Sequence, residues 1–379
     1  MMKIGYIHVL PLESYPPARN SLIHLAAQEN CAVNAWSSWS GNYLENWSAF
    51  GVGVRCMRHT RRGAGLLGRL LGPLLWHLRV AWDLTRWRPD VVISVEPHSA
   101  FAVWLYFKVF RGKARLFIHH HEYYAPEDFD GPGMRLLKRL HALERRDLYP
   151  RAEWVSQTNA ERLRLVRGWN PQIRDEAAAL LPNHPPADWF RKIPKKRERQ
   201  ESSAGLLRLV YVGSASFRDT FIREVVEWVA RFPGSVSLHV CGHNIHEDVW
   251  AWLDEMAFSN VSLDREGVDY EELPELLSAF DVGLVLYKGN TLNFVYNVPN
   301  KAIEYLTCGL EVWYPVEMEG MRLFHRENKN RKLREMDFKE LPPRVLEPLP
   351  ADEMPPEWTC ERAMEPLIAR IMNSGRSNK

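Results

Sequence analysis

Short apolar runs that are hydrophobic at every position, rather than at alternate ones, constrain this chain most. "PDVVISVE" (89–96) is the clearest example. A strand apolar on both faces must be covered on both faces, and that happens inside a parallel sheet flanked by helices. Similar runs are "KIGYIHVL" (3–10), "CAVNAWSS" (31–38), "ARLFIHHHE" (114–122) and "AEWVSQT" (152–158). After a gap come "LLRLVYVGS" (206–214), "VSLHVCG" (236–242), "VSLDREGV" (261–268), "DVGLVLY" (281–287) and "EVWYP" (311–315). Between them lie segments of helical periodicity, among them one around Ser21 to Gln28, "GMRLLKRLHALERRDLY" (133–149) and "FIREVVEWVARF" (221–232). Alternating strands and helices predict βαβ units and parallel sheets.

The gap falls at "RKIPKKRERQESSAG" (191–205), which is charged, then small and polar, with almost no apolar residue. It reads as an interdomain linker; the alternative is a charged surface loop within one domain. The expected organisation is a domain at 1–190, the linker at 191–205, a second domain at 206–330, and a C-terminal extension and helix at 331–379. A length of 379 residues fits two domains. Doubly wound sheets bind ligands at the carboxyl ends of their strands, where the strand order reverses.

Bulk charge excludes some partners. The 49 basic and 47 acidic residues nearly cancel, so no nucleic-acid partner is expected. Five scattered cysteines (Cys31, Cys56, Cys241, Cys308 and Cys360) form no Cys-x-x-Cys pair. That points to a reducing, cytoplasmic setting without a disulfide framework. The apolar start, "MMKIGYIHVLPLE", is short for a signal peptide, and no run of 18 apolar residues predicts a membrane span. The chain also lacks a Gly-x-Gly-x-x-Gly fingerprint and a Gly-x-Ser-x-Gly elbow, which argues against a dehydrogenase and an α/β-hydrolase.

The segment "DVGLVLYKGNTLNFVYNVPNKAIEYLTCGLEV" (281–312) resembles the donor-site signature of group-1, family 4 glycosyltransferases. Its Pro-x-Lys-x-x-Glu-Tyr pattern carries the resemblance. Weaker collinear echoes are "HHHEYY", "WVSQTNAERLRLV", "LLPNHPP" and "YVGSASFRD". The resemblance implies the GT-B fold: two Rossmann-like domains facing a cleft, with a C-terminal helix. It also implies retaining transfer of a sugar from a nucleotide diphosphate, UDP- or GDP-linked; no motif in the sequence calls for a metal, and no further cofactor is expected.

The chemistry of that helix supports the likeness. Pro299 suits a first helical turn because it lacks the N–H that would be orphaned there. The remaining free N–H groups and the helix dipole favour a phosphate. Asn300 and Lys301 stand at that end, and Lys301 adds charge. Glu304, one turn on, can accept hydrogen bonds from ribose hydroxyls, as the matching family residue does. The alternative is an exposed Lys301–Glu304 i,i+3 ion pair worth about 0.2–0.5 kcal/mol. Gly213 allows close backbone approach after the first strand of the second domain. The family's arginine and lysine after that glycine align with Ser214 and Asp219, with Arg218 and Arg223 as nearby substitutes. Two further positions depart from the family: Tyr296 stands where a glutamate often contacts the donor sugar, and Glu311 replaces a proline.

Alternation along "HHHE" puts His119 and His121 on one face of the strand and His120 on the other. The resemblance makes His121 the residue facing the sugar; the alternative is a hydrogen-bonded histidine at a strand end. Zinc at the histidine run is disfavoured because His-Glu-x-x-His is absent. Cys241, His243, His246 and Glu247 have ligand-like spacing, but they read as ordinary loop residues rather than a metal site. The basic, aromatic stretch 59–89, with Arg61, Arg62, Arg69, Arg79, Arg86 and Arg88, is either an interfacial membrane helix or a core-facing helix with solvated arginines. The expected partners are therefore a nucleotide sugar, a glycan or lipid-linked acceptor, and the inner membrane surface as a peripheral contact. The rival reading is a catalytically silent protein of this fold that binds a sugar nucleotide or a partner glycosyltransferase; a sugar-nucleotide epimerase is disfavoured by the Pro-x-Lys-x-x-Glu-Tyr pattern.

Overall fold

Among the described residues, seven strands, all paired in parallel, form one sheet of the computed structural model. They are β1 (Met2–His8), β2 (Cys31–Ser38), β3 (Val52–Met57), β4 (Val91–Val95), β5 (Arg115–His120), β6 (Trp154–Gln157) and β7 (Ala178–Leu180). The order is β3-β2-β1-β4-β5-β6-β7, so it reverses between β1 and β4. Six more parallel strands form a second sheet: β8 (Leu207–Val212), β9 (Val236–Cys241), β10 (Val261–Asp264), β11 (Val282–Leu284), β12 (Glu311–Pro315) and β13 (Leu333–Met336). Their order is β10-β9-β8-β11-β12-β13, with the reversal between β8 and β11. Both sheets are doubly wound, and the two domains have the GT-B architecture. The structure describes residues 1–38, 47–57, 66–193, 206–242, 244–329, 332–349 and 358–373.

The chain divides into two units, residues 1–183 with 360–379, and residues 184–359. Residues 331–379 are thus shared: β13 lies in the second unit and the helix Cys360–Asn373 in the first. That helix inserts Met364, Leu367 and Ile371 beside Leu22, Leu25 and Phe117. Arg115 donates to the carbonyls of Arg370 and Ile371, at 2.8 Å each, and so caps the last turn with a cation. Beyond residue 193, the linker lies outside the described residues.

Side chains of β1, β4 and β5 alternate between two apolar layers. Ile7, Val92 and Ile118 enter one, and Ile4, Ile93 and Phe117 the other. This two-sided burial is what the continuous apolar runs encode. The helix Asn300–Thr307 lies directly on β11, since a Cβ at Gly283 would come within 2.2 Å of the Tyr305 ring. Glycine is required there for packing, not for backbone conformation.

Among the described residues, no helix is long and apolar enough to cross a membrane. The helix Leu66–Trp87 buries Trp76, Val80, Ala81 and Leu84. Its exposed side carries Leu71, Leu74, Leu75, Leu78 and Trp82 as well as Arg79 and Arg86. The solvent-facing stripe is therefore more apolar than a row of solvated arginines. Arg61, Arg62 and the side chain of Arg69 lie outside the described residues.

Candidate functional site

In the second unit, the site builds up from the reversal between β8 and β11. β8 ends at Val212, and Gly213 follows with φ +125°, a conformation that side chains disfavour. A Cβ at Gly213 would meet Lys301 Nζ at 2.8 Å. The residue is glycine because backbone and lysine meet there. Tyr305 fixes the helix to the same strand end, its hydroxyl accepting the Val212 N–H at 2.9 Å.

Lys301 Nζ lies over the rings of Tyr211 and Tyr287, 4.4 and 5.2 Å from their centroids. The ammonium is buried and has no hydrogen-bond partner among the described residues. Burial pulls its pKa down to about 8, against the pull of the Glu304 charge. Glu304 does not pair with it directly. Its Oε1 accepts the Tyr270 hydroxyl at 3.2 Å, and burial pushes the carboxyl up to about 7. The exposed i,i+3 ion pair is thus absent. In its place are a desolvated cation and a desolvated acid, one helical turn apart.

Pro299 is the N-cap, in extended conformation (φ −72°, ψ 147°), and Asn300 opens the helix. This corrects the expectation that Pro299 lies inside the first turn; its fixed φ is used one residue earlier. Lys301 remains in that turn, where helix N–H groups lack intrahelical partners.

The other expected residues divide. Ser214 is exposed, and its carbonyl accepts the Tyr211 hydroxyl. Arg218 is exposed and pairs with Asp219 at 3.7 Å. Arg223 stacks on Phe217 and Trp252, 4.3 and 5.1 Å from their centroids, which commits it to packing. Glu311 belongs to the core. Its Oε1 meets Arg334 Nε at 2.5 Å and accepts from the Trp313 indole at 2.6 Å, and its Oε2 accepts the Leu349 N–H at 2.6 Å. It pins β12 to β13 and to the segment that follows. Tyr296 caps the short helix Leu292–Val295, immediately before the donor-type helix.

In the first unit, the histidine run ends β5. His119 and His121 share a face, with ring centroids 4.4 Å apart, and His120 points the other way onto Glu144. The Ser156 hydroxyl donates to the Ile118 carbonyl, so His119 Nδ1 donates to Ser156 Oγ and His119 Nε2 accepts. His121 Nδ1–H then serves His119 Nε2 at 3.2 Å and Asn183 Oδ1 at 3.1 Å. This tautomer leaves His121 Nε2 as an acceptor, buried and without a partner among the described residues. Burial keeps the ring neutral, with its pKa down to about 4. His8, at the end of β1, stacks edgewise on His121 at 6.4 Å and is likewise held neutral by burial, down to about 3.

Sequence reasoning missed Glu96, the residue after β4. It adopts φ 60°, ψ 152°, a region that only glycine visits readily. Its Oε1 accepts the N–H groups of His121 at 2.6 Å and Glu122 at 3.1 Å. Its Oε2 is buried without a partner among the described residues, and burial raises the carboxyl to about 7. A glutamate closing an apolar strand before a proline was the available signal. Glu144 was also missed. Burial alone would raise it, but His120 and His141 hold it down to about 2. A cavity of about 520 Å³, lined by His120, Tyr123, Phe129, His141, Tyr149 and Trp169, lies beside this cluster. It belongs to the first unit, so the Lys301–Glu304 residues take no part in it.

No protein-family profile matches this chain, and no curated protein does. Solved structures do. Anabaena Alr3699/HepE in complex with UDP-glucose aligns with a TM-score of 0.60 at 14% identity, over 85% of this chain and 83% of that one. The lipopolysaccharide outer core galactosyltransferase WaaB aligns at 0.51 and 14% identity, over 85% and 82%. UDP-GlcNAc 2-epimerase from Neisseria meningitidis, bound to UDP-GlcNAc, aligns at 0.52 and 11% identity, over 82% of each chain. At these identities the likeness is one of fold.

Proposed function

We propose that the chain is a glycosyltransferase that takes a hexose from a UDP- or GDP-linked donor and passes it to an acceptor hydroxyl with retention of configuration. One observation carries the reading. Lys301 is a desolvated cation without a hydrogen-bond partner among the described residues, set against Gly213 at the strand-order reversal, with the Glu304 carboxylate one turn away. A buried charge is costly unless something compensates it. A nucleoside diphosphate supplies both complements, phosphate oxygens for Lys301 and the helix N–H groups, and a ribose diol for Glu304. Asn300, Gly213, Ser214 and Arg218 surround the diphosphate in this reading.

The anomeric carbon–oxygen bond to the diphosphate breaks as the acceptor oxygen bonds to the same carbon. The acceptor proton passes to the leaving phosphate oxygen. Lys301 and the helix N-terminus stabilise the charge that develops on the leaving group. His121 is the catalytic residue, its neutral Nε2 accepting a hydroxyl of the transferring sugar. UDP and UDP-glucose in the HepE complexes, and the galactosyltransferase WaaB, support this choice of chemistry. The acceptor is a glycan or lipid-linked glycan of cell-surface polysaccharide assembly. The exposed leucines and Trp82 of the helix Leu66–Trp87 suit a cytoplasmic enzyme seated peripherally on the inner membrane surface.

Tyr296, where a carboxylate would contact the donor sugar, favours a second reading: a silent protein that binds the nucleotide sugar. A panel of nucleotide sugars separates the two. The enzyme hydrolyses or transfers at least one of them; the silent binder shows saturable binding without turnover. Conversion of UDP-GlcNAc to an epimer without transfer would point to the epimerase.

A further inference from the structure

We propose that His239, Cys241 and Asp264, on β9 and its neighbour at the sheet edge, β10, form a binding site for a borderline-soft divalent cation of the zinc type. The proposal is independent of the donor reading. The strand register brings the three together. His239 pairs with Ser262 and Cys241 with Asp264 in parallel alignment, and the period of two puts 239 and 241 on one face with their partners beside them. One ring nitrogen, the sulfur and a carboxylate oxygen all lie within 4.8 Å of one another. Cys241 Sγ is 3.9 Å from Asp264 Oδ2. Nitrogen, sulfur and oxygen donors together suit zinc better than magnesium or calcium.

Two of the three ligand side chains, His239 and Asp264, are backed by a second group. The Ser262 hydroxyl donates to the Leu238 carbonyl, so it accepts His239 Nδ1–H at 2.9 Å. That fixes the tautomer with its lone pair on Nε2, which is buried and has no partner among the described residues. The Phe280 ring stacks on the imidazole at 5.6 Å and holds its plane. Asp264 Oδ1 accepts the N–H groups of Glu266 at 3.1 Å and Gly267 at 3.0 Å, which leaves Oδ2 toward the sulfur. Orientation by second-shell groups of this kind is usual around metal ligands. His239 and Asp264 are only partly buried, so a water can complete a tetrahedral set. The spacing Cys241, His243, His246, Glu247 suggests a different set. His243 lies outside the described residues, and the partners of Cys241 come instead from two residues back and from the next strand. On binding, the thiol forms its bond to the ion and releases its proton to solvent.

Cobalt(II) is the probe, titrated into the chelator-treated full-length protein. The expected result is a near-ultraviolet thiolate-to-cobalt charge-transfer band with intense visible absorption, both lost when zinc is added. Cys241→Ser abolishes the charge-transfer band, while Cys308→Ser leaves it intact. His239→Ala and Asp264→Asn each weaken binding at least about tenfold. Ser262→Ala, which keeps all three ligands, weakens it roughly 10–100-fold, and it decides the matter if a ligand variant does not fold. Absence of the charge-transfer band in the wild type overturns the proposal. So does its persistence in Cys241→Ser, or unchanged affinity in Ser262→Ala. The thiol would then be a hydrogen-bond donor to Asp264 and nothing more.

Discussion

Glu304 and Lys301 predict a pH profile for nucleotide binding. In the unliganded protein, burial sets the carboxyl near 7 and the ammonium near 8. A nucleoside diphosphate needs the first ionised, to accept from the ribose, and the second protonated, to face the phosphates. Affinity for UDP or GDP should therefore peak between about pH 7 and pH 8 and fall on both sides, by up to about tenfold per unit well outside that window. Glu304→Gln should remove the acid limb. A hydrogen bond to a charged group contributes about 1.5–3 kcal/mol, so the loss at the optimum is roughly ten- to hundredfold. Stability should move the other way. The folded-state pKa of Glu304 lies above its unfolded value, so stability is full below the unfolded pKa and is lost as pH rises through about 7. Lys301 is depressed, so its contribution is present above its unfolded pKa and is lost as pH falls through about 8. Glu304→Gln should thus melt at or above the wild-type temperature at alkaline pH while binding nucleotide more weakly. Calorimetric titration from roughly pH 5 to 10, with thermal melts, tests both arms. A flat binding profile, or unchanged affinity in the variant, would remove Glu304 from the nucleotide site.

His121→Ala should lower turnover far more than nucleotide affinity, whereas His120→Ala should cost about 1–3 kcal/mol of stability by leaving Oε1 of buried Glu144 without its histidine while His141 keeps Oε2; equal activity losses with intact folding would contradict this. Glu311→Ala should destabilise the second domain by about 3 kcal/mol in chemical denaturation, because Arg334 loses its buried partner, while the nucleotide dissociation constant stays unchanged. Cosedimentation with anionic vesicles should be strong at low salt and weaker at high salt, and Leu75→Glu with Trp82→Ala should reduce it at either. Equal retention of that double variant would assign the exposed stripe some other partner.

The strands were legible wherever both faces are buried. Val91 to Val95 are all buried, and the continuous run records that. β7 and β13 left no such mark, being three and four residues long and only partly covered. β3 was hidden because Gly53 and Arg55 interrupt its apolar pattern. Of the candidate site, Lys301 and Glu304 could be read from local spacing, since one short helix carries both. Glu96 and Glu144 could not be. Their significance lies in partners 24 to 26 residues away for Glu96's backbone donors and Glu144's histidine, and no local pattern encodes such contacts.

The two departures from the donor signature now carry different weight. Glu311 departs from the family's proline, but its carboxylate is taken up by Arg334, Trp313 and the Leu349 amide. A proline at that position could make none of these bonds. Its presence reports how β12 is tied to β13, and it says nothing about turnover. Tyr296 is different, because it stands just before the helix that carries Lys301 and Glu304, and Gly320 packs against its backbone so closely that a Cβ would come within 2.5 Å. The backbone there is held in place even though the carboxylate is missing. The argument for a silent protein therefore reduces to one side chain. Tyr296→Glu is its most direct test: new or increased turnover in that variant would mean that the fold and the remaining residues are already competent. Loss of existing turnover would mean that the tyrosine is itself part of how this chain handles the sugar.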